Sequence, residues 1–200
     1  MSSSGSSVKP SYAGPPSPEY PLLGLLAQQP SHGYELHRRL VSDLGQVWHI
    51  SLSQAYNILK RLEEQGYIRG VQQDQDKRPS RRQFQITPAG EQRLQAWLDA
   101  PTPPSVHLIR VEFTSRLYFA CASGPQAAVR LIDGQAAQVQ AGLEHLQSSL
   151  EDIPAAQVFN RLGIELRLRQ LHSMLGWLES CRQACCNLPQ FTSLPTKPKD

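Results

Sequence analysis

The chain has 200 residues, 40% apolar and 18% charged, with a net charge of +3, a composition that excludes a disordered chain and admits one large domain or two small ones. Basic and acidic residues are balanced in both halves, 11 against 9 and then 9 against 8, so only a local cluster can point to an anionic partner. No run of 18 uninterrupted apolar residues and no basic start leading into an apolar run occurs, which predicts a cytoplasmic protein with no membrane partner.

Residues 1–18 hold four prolines and seven serines, with too little apolar surface to offset the entropy of ordering, and are predicted to be a disordered tail. Leu22, Leu23, Leu25 and Leu26 then form an apolar block ended by Pro30, the mark of a short buried helix. Ser31 is the expected cap of a second helix, in which Leu36, Leu40 and Leu44 recur every four residues until Gly45. His32 and His37, with no metal-ligand spacing around them, read as surface or capping residues.

A third helix is announced by the Ser51–Gln54 capping box, with Ile50 at the staple position and Gly66 as the stop. Ala55, Ile58, Leu59 and Leu62 line one face, which leaves Ser53, Gln54, Tyr56, Asn57, Lys60 and Arg61 as a basic, hydrogen-bonding face. The period then changes. Tyr67, Ile68 and Val71 predict one strand and Phe84 and Ile86 a second, with the polar segment QQDQDKRPSRR as the hairpin tip. Thr87 and Pro88 open a fourth helix, through Leu94 and Trp97, that ends at PTPP (101–104).

Three helices, a hairpin and a following helix are the pattern of a winged helix-turn-helix. Lys77, Arg78, Arg81 and Arg82 would sit at the end of a β-ribbon, where long cationic side chains reach phosphate oxygens. The third helix would enter the major groove, where Gln54 and Asn57 can each offer a donor and an acceptor to adenine. Tyr56 could support the core with its ring and meet a phosphate with its hydroxyl.

Beyond the prolines, Val129, Ile132, Ala136, Val139, Leu143, Leu146 and Leu150 recur at intervals of three and four, and Ile164, Leu168, Leu171, Leu175 and Leu178 repeat the pattern. Val106, Ile109, Phe113 and Leu117 imply a third stripe. These stripes are read as a coiled-coil seam between two copies, because three such helices leave too much apolar surface for a lone chain. The seam residues carrying dimerisation are Val129, Ile132, Val139, Leu143, Leu146, Leu150, Leu168, Leu171, Leu175 and Leu178. Gly134 and Gly142 would permit close approach or bending of the middle helix.

The expected fold is mainly α: a winged helix-turn-helix domain with a two-stranded β-wing at 19–100, then an α-helical coiled-coil-like dimerisation domain at 105–187 and a flexible tail at 188–200. The stretches LLGLL (22–26), HGYEL (32–36), Tyr56-x-x-Leu59-x-x-Leu62-Glu63, EQGYI (64–68) and FQITPAG (84–90) together resemble the PadR family of bacterial transcriptional regulators. The second half, from WLDAP (97–101), resembles the longer C-terminal domain of the subgroup related to virulence-gene activators. Asn57 and Phe84 depart from the residues common at those places, so no base preference is carried over. The resemblance implies a homodimer on a pseudo-palindromic operator of double-stranded DNA, with the third helix in the major groove, the wing on the backbone or minor groove, and a small-molecule effector in some members.

Two other readings use the same residues. Cys181, Cys185 and Cys186 form C-x-x-x-C-C on a helix and could make a thiol- or metal-responsive regulator, although no histidine completes a metal set, and no metal or other cofactor is expected. Alternatively, the winged fold is a protein-docking module that does not touch DNA. Trp48, Trp97 and Trp177 could line an effector cavity, but their helical spacing reads as packing. No nucleophile with an oriented base, paired acids or phosphate-cradling glycine loop stands at catalytic spacing, so no enzyme is expected.

Overall fold

A computed structural model describes residues 15–75 and 78–187, with the side chains of 73–81, 186 and 187 excepted. Residues 1–14 of the tail predicted at 1–18, and the whole of the one predicted at 188–200, therefore lie outside the described residues. The chain divides at Pro101–Thr102 into two compact units, each built around its own apolar core.

The first unit contains α1 (Glu19–Gln28), β1 (Ser31–His32), α2 (Gly33–Leu44), α3 (Leu52–Glu64), β2 (Ile68–Gln75), β3 (Arg78–Ile86) and α4 (Pro88–Asp99). α1 is buried from Glu19 to Leu26. Around it lie Leu36, Leu40 and Leu44 of α2 and Ala55, Leu59 and Leu62 of α3, all buried and all on the predicted faces. Trp97 of α4 stacks on Tyr20 of α1 with ring centroids 5.0 Å apart.

Two sequence expectations are corrected here. The sheet has three strands in the order β1-β3-β2, with Ser31 opposite Phe84 and His32 opposite Gln83. Ser31 is thus a buried strand residue, not a cap. His32 takes the N-cap, its backbone N–H donating to Glu35 Oε2 at 3.4 Å. Moreover, much of the segment read as hairpin tip is strand: Gln72 pairs with Arg82, Gln73 with Arg81 and Gln75 with Arg78. Ladder bonds join backbone groups, so a polar ribbon forms without the apolar alternation that would have revealed it.

Local chemistry sets the ends of α3 and α4. Ser51 Oγ accepts from Gln54 N at 3.2 Å while Gln54 Oε1 accepts from Ser51 N at 2.7 Å, closing the capping box. At the other end of α3, Gly66 adopts φ +76°. The Gly66 N–H reaches Glu63 O and the Tyr67 N–H reaches Leu62 O, both at 2.9 Å, in a Schellman turn. Thr87 Oγ1 caps α4 by accepting from Gly90 N at 3.2 Å.

The second unit contains α5 (Val106–Leu108), a π-helical turn (Ile109–Phe113), α6 (Thr114–Ser123), α7 (Pro125–Asp152) and α8 (Val158–Asn187). Ile109, Phe113, Leu117, Ala128, Ile132, Val139, Leu143, Leu171, Met174 and Leu178 form its core. The residues expected at a seam between subunits divide in the single chain. Ile132, Val139, Leu143, Leu171 and Leu178 are buried within one chain, and Leu146, Leu168 and Leu175 are partly buried against the same core. Val129 and Leu150 are half-buried. The helices of one chain fold back on each other, so their stripes cover one another in part.

Polar residues also enter this core. Arg116 Nη2 donates to Glu112 Oε2 at 3.0 Å and Nη1 to Thr102 Oγ1 at 2.5 Å, and Gln135 Nε2 donates to the Thr102 carbonyl at 3.0 Å. All four residues are buried. Of the two glycines in α7, Gly142 faces Leu171, whose Cδ1 would lie 3.4 Å from an added Cβ, while Gly134 faces open space.

Candidate nucleic-acid interface

The face of α3 opposite its buried stripe is open: Ser53, Gln54, Asn57 and Lys60 are exposed, and Tyr56 is 45% exposed. Spaced 3.6 residues per turn, Ser53, Tyr56, Asn57 and Lys60 share one side. This side, the start of α2 and β3 bound a cleft of about 590 Å³ lined by His32, Tyr34, Tyr56, Asn57, Lys60 and Arg82, among others. The start of α2, Gly33 to Glu35, also lines the cleft, and its first turn is capped by the Glu35 carboxylate.

The hydrogen-bond partners distinguish residues that the sequence left equivalent. Gln54 Oε1 is engaged by the Ser51 amide, leaving chiefly donors for an outside partner, whereas the Asn57 amide keeps both functions open to readout. Arg61 turns back to α1, its Nε donating to Glu19 Oε1 at 2.8 Å. Lys60 forms only an exposed contact with Glu64 at 3.8 Å, worth little. Tyr56 packs its ring at the start of α2, where a Cβ added to Gly33 would lie 2.6 Å from Tyr56 Cε1. The close approach of α2 to that ring therefore depends on the missing side chain.

On the hairpin, Lys77 lies outside the described residues, as do the side chains of Arg78 and Arg81. Arg82 is described and exposed, with its guanidinium joined to α3: Nη2 donates to Glu63 Oε1 at 2.7 Å. The same oxygen accepts from the Gly70 backbone N–H at 2.8 Å. One carboxylate of α3 thus holds both strands of the hairpin. Gly70 leaves the room, since a Cβ there would lie 2.2 Å from Arg82 Nε. On the far side of β3, His32 Nδ1 lies 3.0 Å from the Arg82 carbonyl oxygen.

Sequence reading missed Glu63, whose role depends on partners seven and nineteen residues away. Glu63→Ala is expected to lower stability by about 1 kcal/mol and to accelerate hydrogen exchange at the Gly70 amide at least about tenfold. Amide exchange followed by NMR checks this; unchanged protection at Gly70 would remove Glu63 as the clamp.

His37 Nε2 lies 2.9 Å from the Ile50 carbonyl oxygen and tethers α2 to the segment leading into α3. Trp48 and Trp97 are buried in the first unit, while Trp177 belongs to the second and stands edge-on to Phe113 at 5.8 Å. Among the described residues no group of three or more His, Cys, Asp or Glu side chains is placed to hold a metal ion, and no helix is long and apolar enough to cross a membrane.

A helix with an open polar face, set beside a basic hairpin and preceded by two supporting helices, makes the first unit winged helix-turn-helix-like, the fold class of many DNA-binding regulators. The chain belongs to the PadR-like family of transcriptional regulators, whose signature it matches over residues 22–96. Residues 109–185 match the C-terminal region of virulence activator alpha. The chain is 32% identical over 173 residues to the negative transcriptional regulator PadR of Bacillus subtilis, covering 81% of this chain and 93% of the relative. Solved structures of Bacillus subtilis PadR also match at 28% identity. The complex with operator DNA covers 84% of this chain and 98% of that chain at a TM-score of 0.40. The complex with p-coumaric acid covers 85% and 99% at a TM-score of 0.37.

Proposed function

We propose that this protein is a homodimeric regulator that reads a pseudo-palindromic operator with α3 in the major groove and the β2–β3 hairpin along the backbone. The observation that carries the reading is the polar face of α3, with Ser53, Tyr56, Asn57 and Lys60 open beside a hairpin bearing Lys77, Arg78, Arg81 and Arg82. Asn57 reads a base edge. Ser53 and Tyr56 meet phosphates or base edges at the same groove, and Lys60 with the hairpin arginines neutralises phosphates. Gln54 contributes a donor.

The test is a titration of labelled duplex from the gene's own upstream region at several salt concentrations. Asn57→Ala is expected to change the ranking of operator variants by about 1–3 kcal/mol at one base position. The double change Arg81→Ala with Arg82→Ala is expected to leave that ranking intact and to reduce the slope of log affinity against log salt by about 0.9 per reading head if Arg82 stays on Glu63 and by about 1.8 if it turns to a phosphate. Wild-type titrations for both variants would remove these residues from the interface.

Two heads require a coupling surface. With half of the predicted seam residues buried in one chain, the large apolar residues left open on α8 are Val158, Phe159, Leu162, Leu166 and Trp177, and Phe159 is 88% exposed. Phe159, Leu162 and Leu166 fall on one side of the helix. We assign this stripe to the second copy.

An effector is placed in the second unit, in a cleft of about 430 Å³ lined by Val106, Ile109, Arg110, Thr114, Met174 and Trp177, among others. An indole wall and a guanidinium at its rim suit a planar ring carrying an acidic group. p-Coumaric acid, held by the Bacillus relative, is the first probe. It is expected to quench Trp177 fluorescence in the parent and at least about tenfold more weakly in Arg110→Ala, the loss of one charge-assisted bond. Equal titrations would exclude this cleft.

A further inference from the structure

Cys121 on α6 and Cys185 on α8, 64 residues apart in sequence, bring their Sγ atoms to 2.9 Å. This is closer than the ~3.5–4.0 Å at which non-bonded carbon atoms rest. Both residues, with Cys181, flank the core of the second unit as partly buried thiols. From their spacing alone, Cys181, Cys185 and Cys186 would be grouped together. The fold instead matches Cys185 with a cysteine from another helix.

We propose that Cys121 and Cys185 are a modification site, closed into a reversible intrachain disulfide by exchange with a low-molecular-weight disulfide. Three observations support it. A disulfide needs sulfurs about 2.05 Å apart, so the pair must close by roughly another 0.9 Å. Each cysteine stands near a helix end, Cys121 three residues before Gly124 (φ +121°) and Cys185 two residues before the end of α8 at Asn187. Helix ends adjust more readily than helix centres. Finally, the described residues offer these thiols no metal-binding arrangement.

The chemistry balances as two exchanges. The Cys185 thiol gives its proton to solvent, and its sulfur attacks the disulfide, R–S–S–R. The S–S bond breaks, RS⁻ leaves and takes up a proton, and Cys185 carries a mixed disulfide. The Cys121 sulfur, deprotonated in turn, attacks Cys185 Sγ, forms the intrachain bond and expels the second RS⁻. Two protein thiols are oxidised and one small disulfide is reduced to two thiols.

Burial, then the hydrogen bond with Cys185, pushes the Cys121 thiol up to about 12, and burial pushes Cys181 to about 11. Such thiols are poor direct targets, since the thiolate is the nucleophile. Closure therefore relies on the high effective concentration of Cys121 beside an adduct on Cys185. The product would fasten α6 to α8 and enclose all of α7 in one covalent loop.

Full-length protein incubated with oxidised glutathione, trapped with N-ethylmaleimide and mapped by mass spectrometry tests this. The expected product has lost two of the four thiols, contains a peptide linking Cys121 to Cys185, reverts with dithiothreitol and melts about 10 °C higher. Cys121→Ser is expected to stop at a glutathione adduct on Cys185 with no thermal gain. Four thiols remaining free in the wild type would overturn the proposal. So would a persistent adduct on Cys185, a link from Cys185 to Cys181 or Cys186, or a Cys121–Cys185 link that leaves the melting temperature unchanged.

Discussion

Glu19→Ala is expected to destabilise the first unit by about 3 kcal/mol, read as a lower denaturation midpoint at unchanged slope. Glu19 is 7% exposed and holds two guanidinium groups: Oε1 accepts from Arg61 Nε at 2.8 Å, and Oε2 from Arg93 Nη2 at 3.1 Å. Arg93 in turn lies over the rings of Tyr67, at 4.6 Å, and Tyr20, at 5.4 Å. One carboxylate thus ties α1, α3, α4 and the turn before β2 together. Alanine leaves two cations near one another over a space the carboxylate filled.

Both arginines retain solvent contact, with Arg61 52% and Arg93 32% exposed at the side chain. Water therefore recovers part of the loss, which sets the effect at the lower end of the range for broken buried pairs. Glu19→Gln keeps an acceptor and should cost about half as much. A loss below about 1 kcal/mol for the alanine variant would mean that the carboxylate does not bridge these helices.

Phe159→Asp combined with Leu162→Asp is expected to yield monomers in sedimentation and to weaken operator binding by at least about 100-fold, the scale of an effective-concentration gain. Both side chains are exposed in the single chain, so helicity and the melting of the bundle should change little. A core substitution such as Leu171→Ala should do the reverse, harming the fold before the assembly. Dimers that survive the double change would exclude this stripe as the contact between copies. Monomers that still bind the operator at parental affinity would instead sink the two-headed reading of DNA.

The sequence was most legible where causes are local. Ser51, Gln54 and Gly66 announce both ends of α3 because capping chemistry acts within one helical turn. Thr87 and Pro88 do the same for the start of α4. β1 left no trace, because two residues have no period and Ser31 pairs with Phe84, more than fifty residues away. The apolar stripes of α7 and α8 were equally plain, yet a stripe gives the buried face of a helix without naming what covers it. Of the candidate site, the open face of α3 was legible. The engagement of Arg61 by Glu19 and of Arg82 by Glu63 was not, since each pairs residues brought together only by the fold.

The π turn at Ile109–Phe113 carries one residue more than an α-helix would use over the same span, and Thr114 Oγ1 donates to the Ile109 carbonyl at 3.2 Å within it. Each residue of a helix advances its azimuth by about 100°. Because the surplus residue is already taken up as a bulge, deleting one amino acid here would return the turn to α-helical spacing with its flanks still in phase, whereas inserting another would swing the upstream part, Ile109 and Arg110 included, by about that angle. The turn is thus a point where the helix can shed one residue without rotating what lies on either side of it, while its buried side chains, Ile109, Val111 and Phe113, hold it to the core.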